Sequence, residues 1–181
     1  MNLSSAIERS LSPALRAASV RMSRQVSAAP ERIFDAWLEA DEVRTFLFAG
    51  CRTGRAITTE IEARIGGAFR IARPWHGEVV EYSGEYLEID RPHRLVFSLF
   101  VEKYAQWDDR VIVELAPVAE QSLLVLTHEF SLPNPADRSR IQREWAMALD
   151  ALGALCTGGG VPYVAAPDSA QPKARYYLSA A

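Results

Sequence analysis

His128 is the residue of this chain best suited to chemistry. It stands in LVLTHEF, two and four residues beyond Leu126 and Leu124, so a strand there aims its imidazole to the same side as those leucines. An imidazole in such a place can hydrogen-bond a ligand or act as a general base near neutral pH. The plainer reading, and the one favoured on residue type alone, is a core histidine satisfied by a backbone or carboxylate partner. Arg70, in AFRIAR, and Arg24, in the first strand-like segment, sit among apolar neighbours. Each either reaches inward to meet an acidic group or pairs with Glu60, Glu62 or Glu88. Aromatic bulk comes from Trp37, Phe46, Phe69, Trp75, Tyr82, Tyr86, Phe97, Phe100, Trp107 and Trp145, with Leu149 beside the last, residues that serve a core or the wall of a cavity. His76, next to Trp75, reads as solvated, and His93 in RPHR as a surface turn.

Other chemistries lack their residues. There is no Ser/His/Asp arrangement, Cys/His pair, HExxH, P-loop or dinucleotide fingerprint. Cys51 and Cys156 lie far apart, with no metal-ligand spacing. The expectation is therefore no metal and no cofactor. A net charge of −3 lacks the basic stripe that phosphate contacts need, so nucleic acid is not expected as a partner.

The 181 residues suffice for one domain with a sizeable core, and the apolar share of 49% and charged share of 24% are those of a globular protein. No apolar run approaches the roughly 20 residues that span a bilayer, and the N-terminus carries no secretory pattern. A cytoplasmic location is the expectation.

These candidate residues need elements to position them. Leu3, Ile7, Leu11 and Leu15 fall four apart around Pro13, and residues 1–18 read as an N-terminal extension. From Ser19 the period becomes two, with Val20, Met22, Arg24 and Val26 on one side of a first strand. Pro30 opens a short helix that carries Ile33, Phe34, Trp37 and Leu38 on one face. A second follows, with Asp41 read as its N-cap. Strand-like segments then succeed one another with hairpin-length links: ITTEI, AFRIAR after Gly66-Gly67, Val79 to Ile89, LVFSLFV, DRVIVEL and SLLVLTHEF. Asn134 and Pro135 begin a last, long helix whose stripe is Ile141, Trp145, Ala148, Leu149, Leu152, Leu155 and Cys156. The glycines at 158–160 end it, and residues 158–181 read as a tail.

This ordered set resembles the START-like or SRPBCC superfamily, and within it the group similar to the C-terminal domain of the activator of the heat-shock-protein-90 ATPase. The residues carrying the resemblance are Arg24, Ala29-Pro30-Glu31, Ile33 and Phe34; Gly66-Gly67, Phe69 and Arg70; Gly84, Tyr86, Ile89, Pro92, Arg94, Leu95 and Val96; Thr127-His128; and Trp145. It spans about residues 19–157. It implies an α+β helix-grip fold: a curved antiparallel sheet of six to seven strands wrapped around the long C-terminal helix, with two short helices after the first strand. One departure stands out: Phe46, Leu47 and Phe48 occupy the place where many members carry a tryptophan pair.

The resemblance also implies function. Members bind lipids, sterols, polyketides or plant hormones, process polyketides, or act on chaperones in a stress-response setting. The leading expectation is a non-enzymatic protein, monomer or homodimer, enclosing a small hydrophobic lipid- or polyketide-like molecule between sheet and helix. Phe46, Phe97, Trp145 and Leu149 would line the cavity, with Arg70 and His128 as polar anchors. The alternatives are a polyketide cyclase or dehydratase in which His128 moves protons, and a co-chaperone-like module whose partner is a chaperone ATPase or another protein.

Overall fold

Period-two alternation through the middle of the chain becomes seven strands, with two short helices after the first strand and one long helix after the last. The structure, a computed structural model, describes residues 18–49, 58–75, 78–102, 109–130 and 135–159. The elements are β1 (Ala18–Val26), α1 (Pro30–Ala36), α2 (Ala40–Phe46), β2 (Thr58–Ile61), β3 (Ala68–Trp75), β4 (Glu78–Asp90), β5 (Arg94–Val101), β6 (Asp109–Val118), β7 (Gln121–Phe130) and α3 (Pro135–Cys156). Leu3 to Leu15, Cys51, His76, Trp107, Asn134 and residues 160–181 lie outside the described residues.

The strands form one antiparallel sheet in the order β1-β7-β6-β5-β4-β3-β2. Strands β2 to β7 are a meander, and β1 closes the far side by pairing along β7. The inner face follows from parity. On β7, Leu124, Leu126, His128 and Phe130 are buried; on β6, Val111, Val113 and Leu115 are. Val111 stands opposite His128 and Val113 opposite Leu126, so the two apolar rows meet side by side.

Curvature has local causes. The β4–β5 register shifts between Tyr86 and Glu88, a bulge that bends the strand. Gly84 pairs with Phe69 across β3–β4, and a Cβ there would lie 2.6 Å from the Phe69 ring and 1.9 Å from the Ser98 carbonyl oxygen. Glycine alone lets the phenyl ring lie down against the backbone. Gly66, at φ +73°, shapes the β2–β3 turn and donates its N–H to the Tyr86 carbonyl at 2.8 Å.

Helix α3, 22 residues long and so about 33 Å at the usual rise, crosses the concave face. It buries Ile141, Trp145, Ala148, Leu149, Ala151 and Leu152. Gly158, at φ +72°, follows it, and the Gly159 N–H returns to the Ala154 carbonyl at 2.9 Å. Arg24 on β1 bonds Asp150 of α3 at 2.7 Å, so the predicted pairing forms with a helix carboxylate rather than with Glu60, Glu62 or Glu88. The sheet runs past those three glutamates, whereas β1 lies beneath the helix. In α2 the cap position belongs to Glu39, without a side-chain cap bond; Asp41 lies in the first turn and pairs with Arg44 at 2.8 Å. His93 is exposed in the β4–β5 turn, its N–H bonded to the Asp90 carbonyl at 2.7 Å.

Candidate ligand cavity

Where the bent sheet stands away from α3, side chains from both leave a cavity of about 150 Å³. Its walls are mainly apolar. Phe69, Ile71, Tyr86, Phe97 and Leu99 come from the sheet, Ile141, Trp145, Met147 and Ala148 from α3, and Trp37, Val43, Leu47 and Phe48 from the helical insert. Aromatic rings set the shape. Trp37 packs edge-on against Phe46 at 4.9 Å and lies 6.1 Å from both Phe97 and Trp145, while Phe69 meets Phe97 at 5.6 Å in a T-shaped pair. The Tyr86 hydroxyl donates to the Trp37 carbonyl at 3.3 Å, pinning the residue at the end of α1. Burial pushes the Tyr86 phenol well above its ordinary range, so it stays a neutral donor. The Trp37 indole nitrogen is buried and has no hydrogen-bond partner among the described residues.

Among the described residues, polar groups interrupt the apolar wall at three places. The first is a chain of three residues. The Trp145 indole N–H donates to Nδ1 of His128 at 2.9 Å, and Nε2 of His128 lies 3.2 Å from Oδ2 of Asp109. An indole N–H only donates, so Nδ1 accepts, and a neutral His128 carries its proton on Nε2, directed at the carboxylate. Both ring nitrogens are thus engaged by protein, and His128 is 4% exposed. Helix α3, β7 and β6 are joined through these side chains.

The second is Arg73. Its side chain lies inside, 5% exposed, with Nε and Nη2 donating to the Tyr82 hydroxyl at 3.1 and 2.8 Å. Its guanidinium also sits over the Phe48 ring at 5.0 Å and the Tyr82 ring at 5.4 Å, a cation–π arrangement. At the mouth, Arg140 and Glu144, one helical turn apart on α3, pair at 3.2 Å.

The residues expected to form the site separate into three groups. Phe97, His128 and Trp145 line the cavity. Phe46 and Leu149, 0% and 1% exposed, are packed behind the wall, and Leu47 and Phe48 face the space in place of Phe46. Arg70 is on the other side of the sheet. It is exposed and bonded to Glu81, because β3 turns Phe69, Ile71 and Arg73 inward and therefore Arg70 outward. The arginine that β3 turns inward is thus three residues along, at Arg73. Asp109 was also missed. As the first residue of DRVIVEL it shares parity with Val111, Val113 and Leu115, which is the signal that could have found it.

A family model described as "Activator of Hsp90 ATPase homolog 1-like protein" matches residues 27–157. No curated protein matches the chain. Similar solved structures include a protein from Chromobacterium violaceum, 23% identical, covering 76% of this chain and 96% of its own at a TM-score of 0.68. One from Rhodobacter sphaeroides is 20% identical, covering 79% and 97% at a TM-score of 0.66. CalU16 from Micromonospora echinospora is 23% identical, covering 81% and 80% at a TM-score of 0.59. At these identities the likeness carries the fold alone. Among the described residues no helix is long and apolar enough to cross a membrane, and no cluster of three or more His, Cys, Asp or Glu could hold a metal ion.

Proposed function

The chain belongs to the family of activator of Hsp90 ATPase homolog 1-like proteins, a branch of the START-like superfamily, and on that basis we propose that it is a binding protein for one small, ring-sized apolar molecule held between sheet and α3. The observation that carries this reading is the cavity itself: about 150 Å³, walled by Trp37, Phe69, Phe97 and Trp145. Its size supports one ligand class over the others. A cavity near 150 Å³ takes a molecule such as benzene, while drug-sized ligands occupy about 300–1,000 Å³. A single-ring compound is favoured over a sterol or a fused-ring polyketide.

The enzymatic alternative, with His128 as proton carrier, receives less support. A general base needs a free lone pair within reach of the substrate, and here the Trp145 N–H occupies Nδ1 while Nε2 faces Asp109. The geometry suits a wall residue that fixes its neighbours. The chaperone-directed alternative draws on the family's description and on no feature of the cavity.

Titration with p-xylene, followed through the fluorescence of Trp37 and Trp145, tests the proposal. Saturable quenching or enhancement at one site per chain is expected. A flat response, together with native mass spectra free of any bound small molecule, would overturn it.

A further inference from the structure

The cavity holds one carboxylate whose bonding is half used. Asp109 is the first residue of β6, opposite Leu99 on β5, and its side chain is 18% exposed. It lines the cavity, and Oδ2 takes the His128 Nε2 proton at 3.2 Å. That bond is its one side-chain contact among the described residues. A carboxylate offers about four lone-pair sites on two oxygens, so Oδ1 retains its acceptor capacity in a space otherwise walled mostly by hydrocarbon. The donor chain behind it is fixed in direction: indole to imidazole, imidazole to carboxylate. Each proton in that chain points towards Asp109 and none away from it.

Resting on the cavity-binding reading above, we propose that Asp109, held by His128 and Trp145, selects a neutral ligand that carries a hydrogen-bond donor, an O–H or N–H on a small ring. A donor follows because the carboxylate only accepts. Neutrality follows from the other charged groups of the cavity. Among the described residues Arg73 and Arg140 share the lining with Asp109 and Glu144, so a ligand cation would meet positive as well as negative charge there. An ionised ligand would also lose its hydration on entering a space with so few polar groups, at a cost a neutral phenol or amide does not meet. His128 and Trp145 are positioning residues in this account, and Asp109 is the group that touches the ligand.

Three probes of nearly equal shape separate the terms. p-Cresol has a donor, p-xylene replaces the hydroxyl by a methyl group, and 4-methylanisole keeps the oxygen without the proton. Calorimetric titration of the full chain is expected to rank p-cresol about 10-fold tighter than p-xylene, the lower end for a hydrogen bond to a charged group. 4-Methylanisole, whose oxygen can accept from the Trp37 indole N–H but has no proton for Asp109, should bind more weakly than p-cresol. In Asp109→Asn, which keeps an oxygen for His128 and turns an NH2 donor to the ligand, the preference for p-cresol over 4-methylanisole should fall to about 1. If p-xylene binds and p-cresol is no tighter, or if 4-methylanisole binds as tightly as p-cresol, or if Asp109→Asn retains the preference over 4-methylanisole, the donor-selecting role is overturned while the cavity-binding reading stands. If none of the three probes binds, both fall. The comparison of three probes on the natural chain needs no variant and decides the question even if Asp109→Asn fails to fold.

Discussion

Trp145 contributes more than ring volume, because its N–H is the donor that sets the tautomer of His128. Replacing it by Phe keeps an aromatic ring in the wall but leaves Nδ1 buried and without its donor. A lost partner at a buried acceptor costs about 1–3 kcal/mol, so Trp145→Phe should lower stability by about 2 kcal/mol in urea denaturation. An unchanged midpoint would mean that the indole bond contributes nothing to the fold. Cys156, at the end of α3, has a second testable property. Burial raises its thiol above the ordinary range, opposed by the nearby Arg32 charge and reinforced by Glu42. Burial disfavours the thiolate, which is the reactive form. In a Cys51→Ser background, iodoacetamide should therefore modify Cys156 more slowly at neutral pH than it does a free thiol. The rate should climb only as pH rises above the range in which that free thiol responds. A rate profile superimposable on free thiol would contradict the buried environment.

At the scale of elements, two glycines make opposite predictions. Gly84 lies under the Phe69 ring with no room for a Cβ, so Gly84→Ala forces either β4 or the ring to move and should cost about 3 kcal/mol, in the range of overpacked cores. Gly158 has nothing within 4 Å of its Cβ position, and Gly158→Ala should cost only about 1 kcal/mol for its positive φ. Thermal melts of the two variants check both; equal shifts would contradict the steric account of the sheet's bend. Asp35 on α1 is bound by Arg91 of the β4–β5 turn at 2.7 and 2.8 Å, and that hydrogen bond holds its carboxyl below the ordinary carboxylate value. A lowered folded value means the contribution is present above the unfolded carboxylate range and disappears as pH falls through the folded one. Asp35→Asn should lower stability by a constant amount at neutral and alkaline pH and flatten the acid limb, so that the two stability curves converge at low pH. These elements were largely legible in advance. Strand parity placed His128 inward, and helical spacing placed Trp145, Leu149 and Leu152 on one face. Arg70 shows the limit: AFRIAR alternates, yet two of its arginines stand on opposite faces, and an arginine with apolar neighbours reads the same on either. Asp109 carried one signal, its parity with Val111, Val113 and Leu115, set against the usual solvation of a carboxylate that opens a strand. Arg70 carried none that separates the two faces of the sheet.

The molecule as a whole is a sheet bent around a helix, and its working volume is what remains when their side chains fail to fill the gap. That makes occupancy a matter of packing, which a single small-to-large change can test. Ala148 is the place for it. It is 2% exposed, lies on α3 between Trp145 and Leu152, and lines the cavity without belonging to any of its polar contacts. Leucine there adds three carbons to the void. Burying them contributes about 0.8 kcal/mol per methylene, while misfit in a packed core takes back about 1–3 kcal/mol, so the two effects nearly cancel and the melting temperature should stay within a few degrees. Binding has no such compensation. The added isobutyl group stands where a ring-sized ligand would lie, and p-xylene affinity should fall at least about 10-fold, the loss expected when roughly 1.4 kcal/mol of contact is forfeited. A variant that melts like the natural chain and binds p-xylene equally well would show that any ligand sits elsewhere, and that the space under α3 is only a packing defect of the fold.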